Sequence, residues 1–162
     1  DWQGRLYLVD AWRHIEGLVD ASNPDHNGHL NILAQTFMQV YDFGSRVCII
    51  REMSVEAAKL FPDGMFDFVY LDAGHDRKSV LEDLHAWYPK VKKGGIMIGD
   101  DYFNGFFAIE GKEKSNTPIE VKSTVDEFAK LIGKVVNSSD TTNSSLSGQP
   151  GEAKVPQWWI NK

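Results

Sequence analysis

Short apolar runs alternate along the chain with longer stretches in which apolar residues recur every three or four positions. Residues 6–9 (LYLV) form an apolar run closed by Asp10, the pattern of a buried strand with a carboxylate at its C-terminal end. The segment 20–28, DASNPDHNG, reads as a loop from its Asn, Pro, Asp and Gly content. Leu30, Ile32, Leu33, Phe37, Val40 and Tyr41 then repeat at helical spacing, and Gly44 supplies a stop. Residues 47–50 predict a second strand. A short helix follows, which Ser54 would cap, with Val55, Ala58 and Leu60 on its apolar face and Pro62, Asp63 and Gly64 at its end. Residues 66–71 are nearly continuous in apolar content, as in a strand covered on both faces. Val80, Leu81, Leu84, Trp87 and Val91 mark one face of a helix closed by Pro89, before a Lys-Lys-Gly-Gly turn. Residues 96–98 predict a fourth strand running into Gly99, Asp100 and Asp101. Ser123 and Asp126 resemble a capping pair for a helix through Leu131; residues 134–136 predict a fifth short strand and residues 155–160 a terminal one.

Strand and helix alternate until the end, where two strands follow each other with only a Ser-, Thr-, Asn- and Gly-rich spacer between them. The expected fold is therefore α/β, a single three-layer domain with a Rossmann-like, mostly parallel sheet and a C-terminal antiparallel edge hairpin, its loop at 138–153 flexible. A length of 162 residues with 42% hydrophobic and 25% charged content suits one such domain, and excludes fibrous, disordered and disulfide-scaffold classes. Seventeen Lys and Arg against 23 Asp and Glu give a net charge of −6, a poor footprint for a phosphate backbone, so no nucleic-acid partner is expected. There is no run of about 18 apolar residues, and DWQGRLYLVD lacks the basic region and apolar stretch of a signal peptide, so no membrane association and a cytoplasmic location are expected. The one cysteine, Cys48, lies in RVCII and reads as a small buried thiol.

Chemistry concentrates at strand ends, where ligands bind in open parallel sheets. Asp10 follows LYLV, Asp72 follows FVYL, and Asp100 and Asp101 follow IMIG. Asp72, Asp100 and Asp101 converge if their strands are neighbours. Three clustered carboxylates repel one another unless a hard divalent ion, Mg²⁺ by preference, takes their oxygens as ligands. Asp10 could instead accept two ribose hydroxyls of a nucleotide.

FDFVYLDAGHDRKSVLEDLHAWYPKVKKGGIMIGDDY resembles the fourth strand, following helix and fifth strand of class I S-adenosylmethionine-dependent methyltransferases, in their cation-dependent O-methyltransferase branch. The resemblance implies that Asp72, Asp100 and Asp101 hold a divalent metal, Mg²⁺ or another; the 28-residue separation of Asp72 and Asp100 matches the catechol-methylating relatives. It implies a cofactor site, for S-adenosylmethionine, at Asp10 for the ribose, with Trp12 beside it, Met53 and Ser54 bordering the adenine, and Asp72. His75 stands where the catechol-methylating relatives carry a lysine that takes the proton from the substrate hydroxyl, and a histidine titrates in the range that suits a general base. The implied activity is methyl transfer to a hydroxyl of a small molecule.

The family's first strand and its Gly-rich turn find no match, since none of the 14 glycines forms such a turn behind an N-terminal strand. That strand would lie between those ending at Asp10 and Asp72. The expectation is an N-terminally incomplete domain, completed by a missing N-terminal segment or, failing that, a rewired sheet or a strand supplied by a homo-oligomeric partner. The alternatives are a non-catalytic methyltransferase-like scaffold or subunit of a larger assembly, and a metal-dependent, hydroxylase-like enzyme of the same fold. His14, His26 and His29 have no metal-pair spacing and read as loop or surface residues, and His85 as a surface or edge residue. The aromatic segment 102–118, with Tyr102, Phe103, Phe106 and Phe107 around Gly105, is long enough to close over an acceptor.

Overall fold

The computed structural model describes residues 4–18, 23–106, 118–139 and 155–162, and the chain divides into two compact units, Asp1–Leu60 and Phe61–Lys162.

In the first unit, β1 (Leu6–Asp10) and β2 (Val47–Arg51) pair in parallel, Leu6 opposite Val47 through Asp10 opposite Arg51. Helix α1 (His26–Val40) joins them, and it starts earlier than its apolar pattern indicates. The Asp25 carboxylate accepts the Gly28 N–H at 2.8 Å, so residues 26–28, expected in a loop, form the first helical turn. His29 is thereby carried inside as a buried helix residue, its Nε2 3.4 Å from Asn23 Oδ1, rather than standing in a loop or on the surface. The expected stop holds: the backbone breaks at Gly44, whose φ of 55° favours a residue without Cβ. In α2 (Ser54–Ala58) Met53 is the cap residue and Ser54 already lies within the helix; so short a helix turns Ala57 and Ala58 inward and leaves Leu60 exposed. Cys48 is exposed, not buried, because β2 belongs to a two-stranded sheet that leaves much of its strands uncovered.

In the second unit, β3 (Phe66–Leu71), β4 (Val91–Gly99), β8 (Trp158–Asn161) and β7 (Asn137–Ser138) form one sheet in the order β3-β4-β8-β7. β3 and β4 are parallel, and β8 runs antiparallel to both of its neighbours, which is the expected C-terminal hairpin. A separate antiparallel pair joins β5 (Asn104–Phe106) to β6 (Pro118–Glu120). Helices α3 (Arg77–Trp87) and α4 (Val121–Leu131) pack on each other and bury Val80, Leu84, Trp87, Val125 and Phe128, while the sheet contributes Met97, Trp158 and Ile160.

Three boundaries move for identifiable reasons. The Lys-Lys-Gly-Gly segment continues β4 instead of turning; its extra residues are absorbed where the register breaks between Phe66 and Phe68, with Gly94 at φ 82°. Beyond α4, Lys134 N–H reaches Ala129 O at 2.8 Å and Gly133 N–H reaches Lys130 O at 3.2 Å around a Gly133 φ of 67°, a Schellman close that pushes β7 past the expected 134–136. α4 begins at Val121, so Ser123 is inside it, bonding Glu120 O at 3.1 Å rather than capping.

Two expectations about the sheet are not met among the described residues. β3 is not covered on both faces: Val69 is buried, but Phe68 and Tyr70 are 49% and 44% exposed. β1 and β3 also share no sheet, since β1 pairs with β2 and β3 with β4. The strand expected between them has no counterpart among these residues. Phe107 in the aromatic segment and nearly all of the loop at 138–153 lie outside the described residues.

Gly99 ties the sheet to the site. It stands opposite Trp158, and a Cβ there would fall within the van der Waals envelope of the indole. Gly99→Ala is expected to cost about 1–2 kcal/mol through overpacking, read as a lower thermal midpoint, with Trp158→Phe in the same background recovering part of the loss.

Candidate active site

The parallel ladder of β3 and β4 brings two carboxyl ends side by side. Leu71 lies opposite Gly99, and Asp100 N–H donates to Leu71 O at 3.1 Å, so Asp72 and the Asp100–Asp101 pair emerge together. The turn after Asp72 is held from both directions. Asp76 caps α3, its Oδ1 accepting Lys78 N–H at 3.1 Å and Ser79 N–H at 3.2 Å, and Glu120 N–H donates to His75 O at 2.8 Å. These bonds fix the backbone that carries His75.

After β4 the chain bends sharply at Asp101, which has a φ of 56°. Asp is one of the few side-chain-bearing residues that enter this region readily. The bend is supported by Asp101 N–H donating to Asp100 Oδ1 at 3.0 Å, and by the Trp158 indole N–H donating to Asp100 O at 3.2 Å. It leaves Asp101 buried with its Oδ2 2.8 Å from His75 Nε2; Asp72 Oδ1 is 3.7 Å from the same nitrogen. One ligand atom each of Asp72, His75 and Asp101 lies within 4.8 Å of the others. A small cleft lined by Asp72, His75, Asp83 and Asp100 adjoins them, with about 20 Å³ of free space, room for one water-sized occupant.

The group differs from the expected one. Asp72 and Asp101 come together, but His75, and not Asp100, completes the trio. The Asp100 carboxylate faces its own backbone turn and the Tyr70 phenol, which Gln157 Nε2 also reaches at 3.0 Å. Burial, then the charges of Asp100 and Asp72, push that phenol above its ordinary range. The Asp101 carboxylate against the ring first, and the nearby Asp72 carboxylate second, outweigh burial and raise His75 to about 9. At neutral pH the cation-free imidazole is therefore protonated, which opposes the general-base role expected for it until that proton leaves. Sequence reasoning missed Tyr70 and Gln157; the alternation of a strand, which puts Tyr70 and Asp72 on one face, was the available signal for the first.

Of the cofactor candidates, Asp72 is part of this group, and the others belong to the first unit. Asp10 ends β1, and its Oδ1 accepts the Trp12 N–H at 2.6 Å, which holds the buried Trp12 at a φ of 38°. Glu52 N–H donates to Asp10 O at 3.0 Å, so Met53 and Ser54 start α2 just beyond the neighbouring strand end. Arg51 closes the turn through Nη2 to Trp12 O at 2.8 Å. Asp10, Trp12, Met53 and Ser54 thus gather at the carboxyl ends of β1 and β2. His14 and His26 are exposed, and the exposed His85 ring meets Phe128 edge-on.

A family profile described as a methyltransferase domain matches residues 1–102. An uncharacterized protein of Acanthamoeba polyphaga mimivirus is 27% identical over 104 residues, 61% of this chain and 47% of the relative, so the chain spans about half the length of that curated protein. Among solved structures, a protein of Corynebacterium glutamicum aligns with a TM-score of 0.59 at 14% identity, covering 98% of this chain and 60% of its own. An O-methyltransferase from Bacillus cereus, solved in complex with SAH, aligns with a TM-score of 0.54 at 15% identity, covering 98% of this chain and 63% of its own. Likeness at that identity speaks for the fold, and the profile, matching well over half of the residues, speaks for descent. The chain belongs to the methyltransferase-domain family and has its Rossmann-like α/β fold.

Proposed function

We propose that this protein is an S-adenosylmethionine-dependent O-methyltransferase that uses a divalent cation to methylate a hydroxyl of a small molecule. The observation that carries the reading is the gathering of Asp72, His75 and Asp101 at adjoining strand ends of a methyltransferase-family chain. The SAH complex of the Bacillus cereus O-methyltransferase, a fold relative, supports the cofactor.

The donor set fits a cation. Two carboxylates and an imidazole are ligand types for Mg²⁺, Mn²⁺ and their first-row neighbours, and the cleft beside them has room for a water-sized occupant. An ion held there would supply Lewis acidity, lowering the pKa of an acceptor hydroxyl. Asp72, the more exposed carboxylate at 55%, would stand on the acceptor's side of the ion, and Asp101, buried and braced by Asp100, would hold its far side. His75, held between them, can take a proton only after releasing the one it shares with Asp101. Asp10 would accept the ribose hydroxyls, Trp12 would wall the nucleoside, and Met53 and Ser54 would border its adenine. Much of the acceleration would come from holding acceptor oxygen and methyl carbon in line. Among the described residues no helix is long and apolar enough to cross a membrane.

The test is transfer of a labelled methyl group from S-adenosylmethionine by the full-length protein to a panel of catechols, other phenols and sugars. Transfer is expected to vanish in excess chelator and to return with Mg²⁺ or Mn²⁺. Undiminished turnover in chelator would refute the cation's role. Absence of S-adenosylhomocysteine binding in calorimetry would instead favour a non-catalytic scaffold.

A further inference from the structure

We propose that His75 is itself a ligand of the divalent cation, through Nε2, and that the site therefore prefers a first-row transition ion such as Mn²⁺, Fe²⁺ or Co²⁺ to Mg²⁺. This rests on the cation-dependent reading above and concerns which of the chain's atoms hold the ion.

The geometry is the argument. In an octahedral site with bonds of ~2.1 Å, adjacent ligand atoms are ~3.0 Å apart. His75 Nε2 stands 2.8 Å from Asp101 Oδ2 and 3.7 Å from Asp72 Oδ1, which brackets that edge. An imidazole that merely waited beside an all-carboxylate ion to collect a proton would not need to occupy a corner of the ligand set. Asp100, the carboxylate that would replace it, lines the adjoining cleft, but its Oδ1 supports the Asp101 bend at 3.0 Å and the Tyr70 phenol stands beside it. The imidazole cannot easily swing out of the cluster either. Its backbone is pinned at the carbonyl by Glu120 N–H at 2.8 Å and followed directly by the Asp76 cap, and the side chain is only 19% exposed. Two oxygens and one imidazole nitrogen shift selectivity along the first-row series, because nitrogen donors gain more from the later ions than from Mg²⁺.

The experiment is Mn²⁺ titration of the full-length protein followed by pulsed electron paramagnetic resonance of the bound ion, in unlabelled protein and in protein labelled with ¹⁵N-histidine. A ¹⁴N modulation that converts to ¹⁵N on labelling is expected, together with Mn²⁺ affinity at least about tenfold above that for Mg²⁺. His75→Ala should remove the modulation and lower Mn²⁺ affinity about 10- to 100-fold while leaving Mg²⁺ affinity less affected. Because the labelled wild-type protein gives the decisive signal, the test survives a variant that folds badly. Bound Mn²⁺ without a histidine nitrogen coupling, or a coupling that persists in His75→Ala, overturns the ligand assignment and leaves the cation-dependent function standing. No Mn²⁺ binding at all overturns both.

Discussion

Asp101→Gly is expected to reduce cation affinity, and with it methyl transfer, by roughly 100-fold or more, whereas Asp100→Asn should stay within about tenfold of the parent protein. The two carboxylates are neighbours in sequence but do different things in the fold. Asp101 contributes Oδ2 to the group with His75 and Asp72, and its φ of 56° aims it there. Glycine adopts that φ without strain, so this substitution deletes the carboxylate while preserving the bend, which alanine would not do. Asp100 acts through its Oδ1, which accepts the Asp101 N–H, and an asparagine oxygen can accept the same bond. Calorimetric cation titration of both variants, with circular dichroism to check the fold, settles the comparison. Equal losses would mean that Asp100 is a ligand in its own right and that the bound site rearranges from the geometry described here.

That distinction could not be read from the residues. The DD pair after IMIG, with Asp72 28 positions earlier, is legible as paired strand ends in an α/β sheet, and the resemblance to cation-dependent methyltransferases turns it into a three-carboxylate site. What turns Asp101 toward His75 in this structure is the sign of one backbone dihedral, which no spacing encodes. His75 was legible as chemistry, through its place three residues beyond Asp72, but its hydrogen-bonded distance from Asp101 depends on Glu120 pinning the loop from a distant stretch of chain. Helix starts were misread for a related reason. Asp25 is an ordinary loop residue by composition and becomes a cap only because it accepts the Gly28 N–H, so the turn after it disappears into α1 and takes His29 inside. The strands were the easier part. Residues 66–71 and the terminal strand read as strands because apolar runs of that length have few other uses, although the terminal one begins at Trp158 and not at 155; Trp158 reaches the core and Trp159 stays half-buried on the opposite face. Coverage is a different matter: the apolar content of β3 announces two covered faces, yet Phe68 and Tyr70 are exposed among the described residues, since periodicity reports what a strand can bury and not what is present to bury it.

In cation-free protein the His75 cluster should make stability fall with rising pH. His75 is raised from 6.5 to about 9, chiefly by the Asp101 carboxylate against its ring and then by the nearby Asp72 carboxylate. A group whose folded value exceeds its unfolded one binds its proton more tightly in the native state. Its contribution is therefore complete below about pH 6.5 and disappears as pH climbs through about 9. The interval corresponds to about 3 kcal/mol, and solvent access on the Asp72 side, 55% exposed, lowers what survives to about 2 kcal/mol. Measured in chelator by denaturant unfolding, the protein should lose about that much between pH 6 and pH 10 relative to a His75→Gln variant, in which the other titrating groups remain and this one is gone. Histidine ring signals followed by nuclear magnetic resonance should show one residue, absent from the variant, titrating near pH 9. Parallel pH profiles for the two proteins, or no histidine resonance titrating above pH 8, would mean that the imidazole and the Asp101 carboxylate are not in contact in solution. The same proton stands between the apoprotein and any cation that takes His75 Nε2 as a ligand. Cation binding near pH 7 should accordingly release close to one proton per site, which can be read by repeating the titration in buffers of different ionisation enthalpy.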